Sequence, residues 1–418
     1  MWPRKRLDID WSDITAGRWA CAHRWNRQHT QTKLQTAWVS DTTPQPTPQP
    51  TPQPTPQPTP HATLPVLSVR SGLHLLLSQL DWPDGSEVLM SAMTIPDMAR
   101  IVRHHGYVPV PVDLDLDTAA PSLESLRTAV TPNARGLIVA HLLGSRIPLQ
   151  EILSFATEHR IAVLEDCAQA YVGDGWQGTP GCLASMFSFG TIKTATAVGG
   201  GLLTIRDDKL ATAVSTAQSQ WPVQPRLPYA ARLARVALLK ILAYRPPFAA
   251  LRLGCWLTRI DYDHLLNNSV RGFPGEELIA EISHAPSAPL MYLITRRITE
   301  FDRQRLQRRT MLGKRLRDSL QHHATLLGHR GGDHTFWAFP VLARDPGALV
   351  TRLRKCGFDA TRGESMEIVA MPDGRQETAP KIRQAFERTV YLPLYPEIPE
   401  SAIDDMAAAV RRIESDSA

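Results

Sequence analysis

Cysteine is scarce: five residues among 418 (Cys21, Cys167, Cys182, Cys255 and Cys356), no two of them spaced as C-x-x-C. An odd, scattered set argues against a disulfide framework or a structural zinc site, and a reducing cytoplasm is the expected setting. No run of 18 uninterrupted apolar residues occurs, so no ordinary transmembrane helix is expected. The first residues, Met1-Trp2-Pro3-Arg4-Lys5-Arg6-Leu7-Asp8, carry basic charge but no apolar core, which argues against a secretory signal. Charge of one sign is nearly absent as a feature: 46 basic against 41 acidic side chains leave +5, too little to imply nucleic acid. The fourteen histidines form no H-E-x-x-H pattern. An Asp113, Asp115, Asp117, Glu124 spacing resembles a calcium loop but has Thr118 where glycine is obligatory, so no metal is expected. What remains is a chain that is 43% hydrophobic and long enough for two or three domains.

Residues 44–60 repeat proline at every second position, which removes backbone donors and excludes helix and sheet. As extended polyproline the repeat would span roughly 50 Å. It separates a head, residues 1–43, from the rest. The head holds Trp11, Trp19, Trp25 and Trp38 but few other apolar residues, and is read as a disordered tail, with a docking peptide as the alternative. On that reading, deleting residues 1–60 leaves the fold intact. From 61 onward short apolar runs (88–90, 108–112, 137–140, 161–164) alternate with helical spacing at 96–105, 122–130 and 149–159. Strands alternating with helices predict a largely parallel sheet covered on both faces, in a large domain over 61–320. Expected strands at 336–342 and 389–393, with helices at 346–357 and 400–413, make 321–418 a smaller α+β domain.

Two strand ends carry chemistry. Ile161-Ala162-Val163-Leu164 runs into Glu165 and Asp166, with Gln169 three residues on. Met186-Phe187-Ser188 is followed by Lys193 and then by Gly199-Gly200-Gly201, where the backbone can approach closely. In doubly wound sheets, ligands lie beyond the carboxyl ends of the strands. Separately these are weak signals, since a strand-end aspartate is often a helix cap and a lone lysine is usually solvated. Together they fit pyridoxal phosphate, which needs a lysine for its aldehyde, an acid for its ring nitrogen, and hydroxyl or amide donors for its phosphate.

The segments Glu165-Asp166-Cys167-Ala168-Gln169-Ala170 and Phe187-Ser188-Phe189-Gly190-Thr191-Ile192-Lys193, with Val198 and the glycines after it, resemble the DegT/StrS-type pyridoxal-phosphate-dependent sugar aminotransferases. So do Val139 to Gly144, Val110 to Asp115 and Leu392 to Pro396. The resemblance, over about 64–415, implies the type I transferase fold: a mostly parallel seven-stranded sheet plus a smaller C-terminal domain, in a homodimer. It implies that Lys193 carries the cofactor, Asp166 pairs with the ring nitrogen, Gln169 lies against the ring and Ser188 contacts the phosphate. Relatives that dehydrate sugars have histidine at the lysine position, so Lys193 favours transamination. Departures are visible. Val69-Arg70-Ser71-Gly72-Leu73-His74 replaces the phosphate-loop pattern G-T-x-A-L-H, leaving Arg70 and Ser71 to hold the phosphate or, alternatively, Arg70 outward and Ser71 as a cap. Thr94 is followed by Ile95 rather than an aromatic residue, and the N-Y-R segment has no counterpart near 270–275.

Residues 209–260 contain no acid but eight basic residues, interleaved with Leu, Val, Ile, Phe and Trp and broken by Pro246-Pro247. This insertion, about 217–262, is expected to form two helices. They either pack internally or meet an anionic membrane surface through 226–259, at the inner face of the membrane. The function expected is transfer of an amino group from an amino acid, glutamate by resemblance, to a keto-sugar nucleotide in glycan or polysaccharide biosynthesis. Alternatives are a lipid-linked acceptor and a cofactor-binding sensor or assembly protein with little turnover.

Overall fold

A computed structural model describes residues 1–40, 62–270, 272–273, 277–363 and 365–416. The proline repeat at 44–60 lies outside the described residues, as do Arg271, Pro274 and Gly275.

The large domain is built on seven strands: β1 (Ala62–Val66), β2 (Glu87–Ser91), β3 (Val108–Val112), β4 (Ala134–Ala140), β5 (Ala162–Asp166), β6 (Ala184–Ser188) and β7 (Gly201–Ile205). Their order across the sheet is β1-β7-β6-β5-β4-β2-β3. The five from β6 to β3 are parallel, whereas β7 runs antiparallel to both β6 and β1. The central strands are buried nearly throughout, which is why their sequences run apolar without alternation.

The head is not a disordered tail. It forms two helices, α1 (Trp11–Ala22) and α2 (Arg27–Ser40), that lie on the large domain. It has no core of its own because it borrows one. Ile14, Gly17 and Ala20 are buried along one face of α1, and Thr30, Leu34 and Trp38 recur every fourth residue on α2. Trp38 is 1% exposed, with its ring centroid 5.0 Å from that of Phe187 in β6. Asp13, buried, receives Arg296 Nε at 3.0 Å and Arg297 Nη1 at 2.6 Å. The expectation that 1–60 is dispensable therefore falls for this part.

Between strands run α3 (Val69–Gln79), α4 (Pro96–His104), α5 (Leu123–Ala129), α6 (Gln150–Glu158) and, after the sheet, α7 (Asp208–Ser219); α4, α5 and α6 lie near the predicted positions. The insertion forms α8 (Arg226–Leu242), α9 (Arg245–Thr258) and a third helix, α10 (Tyr262–Val270), with Pro246-Pro247 in the first turn of α9 where missing donors cost nothing. Internal packing holds for one face of α8: Tyr229, Leu233 and Val236 are buried, and Leu233 lies against Gly17 of α1. On α9 only Phe248 and Cys255 are buried.

After α11 (Leu278–Ile282) and α12 (Ala288–Thr299) comes α13 (Arg303–Leu320). The small domain holds an antiparallel sheet of β8 (Thr325–Leu326), β9 (Phe339–Leu342) and β10 (Thr389–Leu392), with α14 (Pro346–Lys355), α15 (Pro380–Arg388) and α16 (Glu400–Asp416). The boundary expected at 320 falls earlier, because Leu312, Leu316 and Leu320 of α13 belong to the small domain's core. The strand expected from 336 starts at Phe339, since Phe336 adopts φ +48° and turns the chain. The first residues of the chain tie the domains together. Trp2 pairs with Phe358 of the small domain, and the chain then crosses to α1.

Candidate active site

β5 and β6 are parallel neighbours, so Asp166 and Ser188 emerge at the same edge of the sheet. Among the described residues, Asp166 accepts one hydrogen bond, from the Ala168 amide at 2.9 Å, and no cation touches it. Burial raises its carboxyl above the ordinary value, against the pull of Lys193, His141 and Arg70. The chain after β6 turns tightly: the Lys193 amide donates to Gly190 O at 3.0 Å, and Gly190 N donates to Ser188 Oγ at 3.3 Å. This turn aims Lys193 back at the strand ends. Its ammonium makes no hydrogen bond among the described residues and lies 4.6 Å from the Trp337 ring centroid. Burial, aided by Arg70 and opposed by Asp166, lowers its pKa to about 8. The glycines that follow serve packing: Gly200, at φ +82°, would carry a Cβ 2.5 Å from Ile294 of α12.

Gln169 is held by its Oε1, which accepts from the Leu143 amide at 2.7 Å. Leu143 itself sits at φ +63° in the turn after β4, and the Gly144 beside it has Trp337 N only 2.5 Å from where a Cβ would stand. That close approach brings the small domain's Trp337 onto the lysine loop, where its Nε1 donates to Ile192 O at 3.1 Å.

The phosphate-loop residues divide. The cap of α3 is Ser68 rather than Ser71; Ser71 lies in the first turn, fully buried, with its hydroxyl 3.0 Å from that of Ser68. Arg70 Nε donates to Asp97 at 2.6 Å, so the guanidinium is pinned, yet its charge acts on both Lys193 and Asp166. The Ser68 cap takes the Ser71 amide, so only the Val69 and Arg70 amides at the start of α3 lack an intrahelical partner and could face an anion at the edge of this group. Ile95, at the position expected to carry an aromatic ring, packs partly buried on the large-domain core.

Sequence reasoning quoted His141 and Glu165 only as part of motifs. In the structure they are a buried pair at 2.9 Å. The Ile147 amide donates to His141 Nδ1 at 2.9 Å, which leaves Nε2 to donate to Glu165. Glu165 also receives Thr179 N, Thr179 Oγ1 and Ser185 Oγ, and these partners outweigh burial to hold its pKa at about 2. Cys167 completes a buried His141–Glu165–Cys167 group, but burial pushes its thiol well up, and Glu165 is already saturated. The group stiffens β5 directly behind Asp166.

A second set of residues was missed altogether. Lys5, Arg6 and Asp8 of the head, with Thr194, Arg305, Arg309, Trp337 and Tyr395, wall a cavity that reaches Lys193. No local motif marks them, because chain segments hundreds of residues apart bring them together.

The set matches what pyridoxal phosphate requires. A lysine of lowered pKa, without a hydrogen bond among the described residues, lies near a buried acid with spare acceptor capacity and near the start of α3. Residues 60–223 match the model of the DegT/DnrJ/EryC1/StrS aminotransferase family. Among solved structures, the chain is similar to the aminotransferase TlmJ from Streptoalloteichus hindustanus, at 16% identity and a TM-score of 0.71, covering 100% of both chains. It is similar to the sugar aminotransferase CalS13 from Micromonospora echinospora, at 19% identity and a TM-score of 0.69, covering 99% of this chain and 100% of that one. It is also similar to Helicobacter pylori PseC, an aminotransferase involved in pseudoaminic acid biosynthesis, at 13% identity and a TM-score of 0.68, covering 99% of each. The match over residues 60–223 and the shared fold make the chain similar to the DegT/DnrJ/EryC1/StrS aminotransferases, whose members are pyridoxal-phosphate-dependent transaminases.

Proposed function

We propose that the chain moves an amino group from an amino acid, glutamate first among candidates, to a keto-sugar nucleotide in glycan biosynthesis, as a cytoplasmic homodimer. The observation that carries it is the opposed pair at adjacent strand ends: Lys193, unpaired and near pKa 8, and the buried, cation-free Asp166. When bound, pyridoxal phosphate supplies an aldehyde for amines and a ring that withdraws electrons from the carbon losing its proton. Lys193 would hold the cofactor through that aldehyde, its lowered pKa making a neutral amine available near neutral pH. The amine of Lys193 would also be the base placed to move a proton from the substrate carbon. Asp166 accepts the hydrogen bond of a protonated ring nitrogen. Gln169 would lie against the ring, and Ser188 with the open amides at the start of α3 would hold the phosphate, Arg70 adding positive charge. The naming of similar structures as sugar aminotransferases supports a sugar acceptor. To test this, the purified protein is mixed with pyridoxal phosphate and reduced with borohydride. The label is expected on the Lys193 peptide, and Lys193→Ala is expected to lose both the yellow colour and nearly all turnover. A coloured, active Lys193→Ala would end this reading.

A second reading, transamination of a lipid-linked acceptor at a membrane surface, is favoured by one observation. Leu253, Trp256 and Leu257 of α9 are 57%, 74% and 66% exposed, between the basic Arg252 and Arg259. Among the described residues no helix is long and apolar enough to cross a membrane.

A further inference from the structure

The head does more than pack. Its first turn of chain lays Lys5 and Arg6 into the cavity beside Lys193. Lys5 Nζ lies 3.6 Å from the centroid of the same Trp337 ring that Lys193 Nζ approaches at 4.6 Å. Arg309 faces them, with Nε bound to Thr335 O at 2.8 Å and both Nη atoms 3.4 Å from Thr194 Oγ1. None of these three cations touches a carboxylate among the described residues. The two acids lining the cavity are committed elsewhere. Asp8 accepts from Ala195 N at 2.7 Å and Arg305 Nε at 2.9 Å, and Asp302 caps α13. Two buried donors on the same wall have no hydrogen-bond partner among the described residues, Arg6 Nε and the Tyr395 hydroxyl. Buried polar groups left unpaired are costly, and an oxyanion in the cavity would pair these two.

We propose that Lys5, Arg6, Arg309 and Tyr395 form an oxyanion pocket that receives a carboxylate of the amino donor next to Lys193. The assignment rests on the transaminase reading above. Burial, with Arg309 and Lys193 nearby, holds the Lys5 ammonium well below its usual pKa, and an arriving carboxylate offsets that penalty. Proximity to Lys193 favours a group carried on the reacting amino acid over one at the far end of a nucleotide.

The test uses the full-length protein loaded with pyridoxal phosphate and glutarate, a dicarboxylate with no amine to react. Isothermal titration of the wild type, Lys5→Met and Arg6→Gln is expected to show glutarate affinity falling about tenfold or more in each variant. Melting temperature, cofactor retention and the absorbance band are expected to stay unchanged. Glutarate affinity unmoved by either change overturns the proposal. So does a loss confined to pyrophosphate, which would assign the pocket to a nucleotide's diphosphate, or a loss of cofactor, which would assign it to the cofactor's own phosphate. Should Lys5→Met melt early, Lys5→Arg keeps the charge and must restore glutarate binding, and no restoration overturns the proposal. Failure of the transaminase reading shows separately, as absence of the band in the wild type.

Discussion

Lys193 and Asp166 could be read from the sequence because each depends on short-range chain geometry: an apolar strand, its end, and the residue there. Their physical state could not, because it depends on what the rest of the fold excludes. Burial moves both toward neutrality, Lys193 down and Asp166 up, and on the proposed reading a bound cofactor would pair each. The first consequence is kinetic. The rate at which the cofactor-free protein turns yellow is expected to rise with pH through about 8, as the ammonium gives up its proton, and then to level; stopped-flow absorbance measures it. Asp166→Asn is expected to keep covalent labelling at Lys193 yet slow turnover by orders of magnitude, each ~1.4 kcal/mol of lost ring stabilisation being tenfold. The Glu165 carboxyl shifts the other way. Its pKa is lowered from 4.5 to about 2, so its stabilisation is complete above 4.5 and lost as pH falls toward 2. Acid unfolding followed by fluorescence should therefore show about 3 kcal/mol less cost of lowering pH in Glu165→Gln than in the wild type, over that window.

At the level of elements, strands and crossover helices were legible because continuous apolar runs, Pro96 at a helix start and the Ser68 and Ser122 caps are local signals. The head was misjudged by counting its apolar residues in isolation. Ile14-Gly17-Ala20 and Thr30-Leu34-Trp38 carry helical spacing that needs a partner surface, and α8, α12 and β1 supply it. A similar error of context makes Asp113 look like a metal ligand. Its carboxylate instead receives the Lys381 and Ile382 amides at the start of α15, fastening the small domain to the end of β3. Trp38→Ala is therefore expected to cost about 3–5 kcal/mol, as for other large buried rings, read from chemical denaturation. Deletion of residues 1–40 is expected to give aggregated protein, and a soluble, cooperatively melting truncation would contradict the structure.

The molecule as a whole leaves one face without a partner. Leu238, Ile241 and Tyr244 near the end of α8, then Leu253, Trp256, Leu257 and Ile260, are all at least 43% exposed, with Arg245, Arg252 and Arg259 among them. Scattered exposed leucines mean little, but a run of large apolar side chains on consecutive helices marks an interaction surface. Sequence patterning showed the composition of this block and its break at Pro246, yet only the packing of α8 on α1 shows which side is spent. An anionic bilayer suits what is left. Apolar groups enter the acyl boundary while each arginine near the surface adds about 1 kcal/mol. The protein is accordingly expected to sediment with vesicles containing phosphatidylglycerol and to remain in the supernatant with phosphatidylcholine alone. Raised salt should release it, because the arginine contribution is screened. Trp256→Glu should abolish sedimentation while leaving the absorbance band of the cofactor intact, since α9 lies outside the strand-end site. Light scattering of the same variant separates the competing occupant, a second copy of the chain. If Trp256→Glu converts a dimer to a monomer and vesicle binding never existed, this face is a subunit interface and the membrane reading fails. If the variant stays dimeric and loses only the vesicles, the subunits meet elsewhere and α9 is what touches lipid.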